Sequence, residues 1–228
     1  MEHPDIDFAT VLASAVHDMK NSLCMLIQSI DLLQQQLAPT AQTASQELGR
    51  IHYEASRLNT NLLQLLSLYR IEKDQLPIHM DEYYLDELCE EIVIRNQLYS
   101  EQRCISVSIQ CESNLCWFFD NDLISNLIND MFVNALRYSK SKLLLRAYQQ
   151  DNQLRIELHD DGDGYPAEML ESNAESLGAL SLAAGRTGLG LFFAHLIANA
   201  HRNQQRRGFI ELSNGGEYGG AVFRLTLP

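Results

Sequence analysis

The chain has 228 residues, enough for one large domain or two small ones with a sizeable core. Apolar residues make up 46% and charged residues 21%, a globular composition that excludes a disordered chain. The formal net charge of −13 excludes the basic footprint a nucleic-acid partner needs, and the tight basic cluster Arg202, Arg206 and Arg207 is too small to reverse that.

Met1-Glu2-His3-Pro4-Asp5 is polar and acidic where a signal peptide would be basic and then apolar. No apolar run reaches the roughly 18–20 residues that cross a bilayer. The best candidate, Gly188 to Ala200, is short and contains His195 and Asn199. The five cysteines (Cys24, Cys89, Cys104, Cys111 and Cys116) are an odd number without paired CxxC spacing. They are expected to be buried or free thiols in a reducing cytoplasm.

In chain order, residues 5 to 72 are predicted as two long helices. Phe8, Leu12, Ala15, Met19, Ser22, Leu26, Ile30, Leu33 and Leu37 recur at alternating steps of four and three, with Leu23 and Ile27 widening the stripe. Leu48, Ile51, Ala55, Leu58, Leu62, Leu65 and Tyr69 follow the same rule. This is a heptad seam, and Pro39-Thr40 breaks it into an antiparallel hairpin. A hairpin cannot bury so much seam alone, so the expected closure is a four-helix bundle made by a homodimer. On this register His17 lies off the seam and faces solvent.

His17-Asp18 and Asn21, on consecutive turns of the first helix, combine a nucleophilic imidazole with a carboxylate that can fix its tautomer and take its proton. Alone, such a pair is more often an ordinary solvated pair than a reactive one.

Lys73-Asp74-Gln75-Leu76-Pro77 breaks the helical pattern, dividing the chain into residues 1–75 and 76–228. Beyond it, helices are predicted over Asp86 to Ser100, Asp120 to Ser139 and Gly188 to Asn199. Strands are predicted at Ile105 to Ile109, Leu143 to Tyr148, Leu154 to Leu158, Phe209 to Leu212 and Ala221 to Leu227. Together they predict an α/β sandwich, one mixed, mostly antiparallel sheet under helices.

Three stretches of this second module carry chemistry. Asp130, Asn134 and Arg137 (or Tyr138) share one face of a helix. A carboxylate and an amide one turn apart can hold Mg²⁺ directly or through its waters, and the arginine can meet phosphate. Asp160-Asp161-Gly162-Asp163-Gly164 follows a predicted strand, where glycines allow close backbone approach and a carboxylate can accept from an exocyclic amine. Gly185-Arg186-Thr187-Gly188-Leu189-Gly190-Leu191 opens a helix, a natural anion site. Taken singly, these are also readable as a solvated helix face, an acidic turn and a packing turn.

In this order, the three resemble the N, G1 and G2 boxes of the histidine kinase ATP-binding domain, a Bergerat-type fold. The stretch around His17 resembles the phospho-acceptor H box, and the hairpin resembles the dimerisation domain of the same family. The resemblance covers roughly residues 5 to 228. It implies that His17 takes the γ-phosphoryl group of ATP, that Asp18 orients and deprotonates it, and that Asn21 positions water for the reverse phosphatase reaction. It implies that Asn134 holds Mg²⁺, with Asp130 beside it, that Arg137 meets phosphate and that Tyr138 packs near adenine. Asp160 would accept from the adenine amine, Gly162 and Gly164 would make room, and Thr187, Gly188 and Gly190 would line the phosphate lid. The implied partners are a second copy of the chain, a response-regulator receiver domain and a separate sensor or regulatory protein.

Four departures from the family pattern stand out. Ser22 replaces the proline that kinks the helix after the H box. Asp130 replaces an asparagine, and the lid from about Glu168 to Thr187 lacks the usual phenylalanine box. No sensor, membrane span, receiver or phosphotransfer domain is visible. The expectation is a cytoplasmic histidine kinase that autophosphorylates His17 and passes the group to a regulator aspartate. The alternative is a non-catalytic dimeric phosphotransfer protein with a degenerate ATP domain. An anti-sigma serine kinase would leave the hairpin and His17 unexplained.

Overall fold

The computed structural model describes Met19, residues 21–30, 32 and 33, Ala44, Leu48, Ile51, Ala55 and Leu58, and then residues 78–171 and 189–228. The chain divides into two compact units, Met1–Pro77 and Ile78–Pro228. In the first, every described residue before Ile78 is helical. Ile30 and Ala55 are buried, whereas Met19, Leu26, Leu33, Ile51 and Leu58 remain about half exposed. His17, Asp18, the turn at Pro39-Thr40 and the break at 73–77 lie outside the described residues.

The second unit is built on a five-stranded sheet of order β2-β4-β5-β9-β8. The strands are β2 Ser106–Cys111, β4 Lys142–Gln150, β5 Gln153–Asp160, β8 Phe209–Asn214 and β9 Ala221–Leu227. β2 runs parallel to β4, and all other pairs are antiparallel. The β4–β5 hairpin turns through only Asp151 and Asn152, both left-handed at φ 54° and 56°, which matches the twist of a two-residue turn.

Alternation divides the sheet. Leu143, Leu145 and Ala147, Leu154, Ile156 and Leu158, and Phe223, Leu225 and Leu227 face one core. Three helices close that core: α1 Leu85–Arg95, α3 Asn121–Tyr138 and α5 Leu189–Ala200. The inward stripe of α3 is Ile124, Leu127, Ile128, Met131, Phe132 and Leu136, while Leu123 and Ala135 are only half-buried.

The helix expected over Asp86 to Ser100 is two helices, α1 and α2 Gln97–Gln102. Asn96 breaks it at φ −107°, because its amide donates to the Ile92 carbonyl and to Asn129 on α3. Five further elements were not anticipated. β1 Asp81–Tyr84 pairs with β3 Cys116–Phe119, the Arg202–Asn203 and Arg206–Arg207 strands (β6 and β7) form a small hairpin, and α4 spans Ala167–Glu171.

Asp120 joins several elements. Its side chain caps α3 by accepting from the Leu123 amide at 3.0 Å, and it also accepts from the His79 amide at 2.9 Å. Its own amide donates to Nε2 of His201, at the end of α5, and His201 Nδ1–H is bonded to the Ile197 carbonyl.

The sheet's other face is polar in sequence yet partly buried. The loop from Gly215 to Gly220 folds over it. Tyr218 reaches Ser108 at 3.1 Å, Glu217 pairs with Arg146 at 3.0 Å, and the Glu217 amide donates to His159 Nδ1. Beneath this cover Glu157, 2% exposed, accepts from Tyr148, His159 and Arg224.

Candidate nucleotide site

Asp160 ends β5 and is 6% exposed. Its Oδ1 accepts from the amides of Gly162 at 2.8 Å and Ala221 at 2.9 Å, and its carbonyl accepts from Gly220. The carboxylate is therefore fixed from two sides by backbone, the kind of rigid acceptor a recognition site requires. Gly220 permits this. A Cβ there would lie 2.3 Å from Asp160 Oδ1, and the Gly219-Gly220 pair before β9 was the sequence signal for this contact.

The glycines of the Asp160 loop answer to the protein's own backbone. A Cβ on Gly162 would lie 2.5 Å from the Tyr138 carbonyl, the last residue of α3. Gly164, at φ +82°, packs against the amide of Asn214, whose side chain bonds both backbone groups of Tyr165. On the side where a side chain would project, these two glycines face the Tyr138 carbonyl and the Asn214 amide.

Asp161, passed over in the sequence, stitches the same loop to the turn after α3. It accepts from the Lys140 and Ser141 amides and from the Ser141 hydroxyl. Burial opposes its charge, but the Ser141 hydroxyl and these amides hold its carboxyl well below the usual range. Burial, then the charge of Asp160, pushes the Tyr165 phenol up, placing that ring in the field of the Asp160 carboxylate.

On α3, Asp130 and Asn134 are half-buried, whereas Arg137 and Tyr138 are exposed, with the guanidinium 5.8 Å from the ring centroid. Arg103 donates to the Arg137 carbonyl and so caps the end of the helix. The first turn of α5 lies against α3, since a Cβ on Gly190 would meet the Met131 methyl at 3.4 Å. The Asp160 loop thus touches the C-terminal end of α3, and the start of α5 touches the turn between Asp130 and Asn134. Thr187, Gly188 and most of the expected lid lie outside the described residues. In the first unit Asn21 is helical and exposed, as is Ser22.

The second unit thus holds a fixed acidic acceptor at a strand end, near the polar face of α3 and the start of α5. Residues 119–228 match the family described as histidine kinase-, DNA gyrase B- and HSP90-like ATPase. That match spans a little under half of the chain, and the curated proteins to which the chain is similar are sensor kinases. It is 25% identical over 96% of its length to sensor protein KdpD of Clostridium acetobutylicum, and 23% identical over 96% to adaptive-response sensory kinase SasA of Microcystis aeruginosa. It spans 24% and 58% of the length of these two proteins. The fold is similar to that of full-length ShkA in complex with AMPPNP, at a TM-score of 0.66 and 16% identity, covering 96% of this chain and 45% of that one. No helix among the described residues is long and apolar enough to cross a membrane.

Proposed function

We propose that this chain is an ATP-dependent protein histidine kinase, acting as a homodimer, that phosphorylates its own His17 and passes the group to a response-regulator aspartate. The observation that carries this reading is the Asp160 carboxylate, buried and immobilised within a domain of the matching ATPase family. Asp160 accepts from the adenine amine, and the rigid backbone around it makes the pocket selective for that donor pattern. Arg137 meets phosphate from the end of α3. His17 attacks the γ-phosphorus, ADP leaves, and Asp18 accepts the imidazole proton. Asn21 orients water when the flow reverses.

No group of three or more His, Cys, Asp or Glu able to cage a metal exists among the described residues. Mg²⁺ needs no such cage. It keeps several waters and takes one or two protein oxygens beside phosphate, which suits Asp130 and Asn134 one turn apart. When bound, the ion neutralises phosphate charge.

The half-exposed seam residues Met19, Leu26, Leu33, Ile51 and Leu58 supply the apolar face that a second copy would cover.

Titration calorimetry with Mg-ATP separates this reading from a phosphotransfer protein, which the atypical lid and Asp130 would otherwise favour. Binding is expected, weakened at least about tenfold in Asp160→Asn, whose amide faces the adenine amine donor to donor. Absence of binding by the unaltered chain would favour the phosphotransfer protein. The Asn21→Ala variant should lose phosphatase activity toward a phosphorylated regulator while still labelling itself; equal loss of both activities would remove the role assigned to Asn21.

A further inference from the structure

β2 ends the five-stranded sheet, and among the described residues no strand lies on its far side. The Ser106 amide donates to the Ser141 carbonyl at 2.8 Å, and the pairing with β4 runs unbroken from Ser106 to Cys111. By the alternation of the ladder, the backbone groups of Ser106, Ser108 and Gln110 serve β4, and those of Val107, Ile109 and Cys111 point away from it. Among the described residues none of these outward amides and carbonyls is bonded to another segment. Edge strands are usually guarded by charge or proline. Ser-Val-Ser-Ile-Gln-Cys has neither, whereas β8 at the other edge carries Glu211 in mid-strand.

The two faces of β2 differ. Ser108 meets Tyr218 at 3.1 Å and Gln110 meets Arg146 at 2.8 Å, so the polar face already has its partners. Val107 and Cys111 pack on the core, while Ile109, on the same side by alternation, stays exposed. The helices lying against β2, α1 and α2, also leave Ile94 and Leu98 exposed.

We infer that this edge docks the same edge of a second copy, antiparallel, about a two-fold axis at Ile109. A row of unpaired backbone groups is satisfied by an extended strand, and this strand is its own complement. With Ile109 opposite the partner's Ile109, Val107 faces the partner's Cys111, and every outward amide meets a carbonyl. Ser108 then faces the partner's Gln110, and Ser106 faces the partner's Glu112. Apolar residues meet apolar ones, polar residues meet polar ones, and no like charges stand opposite each other. The two-fold closes the contact at a pair of strands. It uses neither the nucleotide site nor the seam residues of the first unit.

Amide-resolved hydrogen exchange of the full chain tests this. The Val107, Ile109 and Cys111 amides should exchange about tenfold more slowly at high than at low protein concentration. In Ile109→Lys two ammonium groups meet at the axis, so the concentration dependence should vanish. The Ser108 and Gln110 amides, bonded to β4, should stay protected and show that the variant is folded. Under mild oxidation Val107→Cys should form a disulfide between copies, mapped by mass spectrometry to positions 107 and 111, which are too far apart on one strand to link within a copy. Outward amides that exchange fast at every concentration overturn the proposal. So do amides that exchange slowly at every concentration and remain slow in Ile109→Lys, because the edge is then covered within one copy. A bridge from position 107 to any other cysteine contradicts the register.

Discussion

Gly162 and the Tyr138 carbonyl meet where the Asp160 loop crosses the end of α3, and this contact has a measurable consequence. In Gly162→Ala the new Cβ would sit 2.5 Å from a backbone oxygen, so either the loop or the helix end must shift. Overpacking of this kind costs about 1–3 kcal/mol. Chemical denaturation should show that loss, and ATP affinity should fall with it because Asp160 is held through the Gly162 amide. Unchanged stability would show that the loop adapts freely. Glu157 makes the second residue-scale prediction. Burial alone would raise its pKa, but bonds from His159, Arg224 and Tyr148 hold it down at about 2. Its folded pKa is depressed, so the stability it confers is complete above the ordinary carboxylate range and is lost as pH falls toward about 2. The shift corresponds to about 3 kcal/mol. In Glu157→Gln, stability measured by denaturant titration should fall less steeply over that pH window; an identical slope would contradict the assignment. Neither feature could be read from sequence. The DGDG loop pointed to close approach without naming the partner, and the alternation along β5 carries no sign that the 215–220 loop covers its polar residues.

At the scale of elements, the join between α3 and α5 runs through Asp120 and His201. Asp120→Ala removes a helix cap and the bond to the His79 amide, and should cost about 2 kcal/mol in thermal or urea unfolding. His201 is 1% exposed, and burial lowers its pKa although Ile197 and Asp120 act in the opposite sense. The unfolded chain therefore takes up a proton first, so domain stability should fall as pH drops below about 6.5. Nuclear magnetic resonance titration should find the ring neutral there, with its proton on Nδ1; a protonated ring at that pH would contradict the bonding pattern. The helix α3 was legible because its period is sustained and Asp120 stands where a cap belongs. The break at Asn96 was not, since it depends on a bond to Asn129 thirty-three residues away. β1 escaped for a related reason: Asp-Glu-Tyr-Tyr is a weak strand sequence that pairing with Cys116–Phe119 rescues, helped by the Tyr83–Phe119 ring contact at 5.4 Å.

For the whole molecule, the order of the polar helix, the acidic strand end and the glycine-opened helix was visible in the chain. The sheet that aligns them was visible only in outline. The proposed function couples this domain to His17 in the other unit, which makes phosphoryl transfer to that side chain the central claim. The measurement that tests it most directly is incubation of the purified chain with Mg²⁺ and γ-labelled ATP. Acid-labile label should accumulate on the unaltered protein, disappear in His17→Gln and fall sharply in Asp160→Asn. Label that survives acid, or that persists in His17→Gln, would contradict the account.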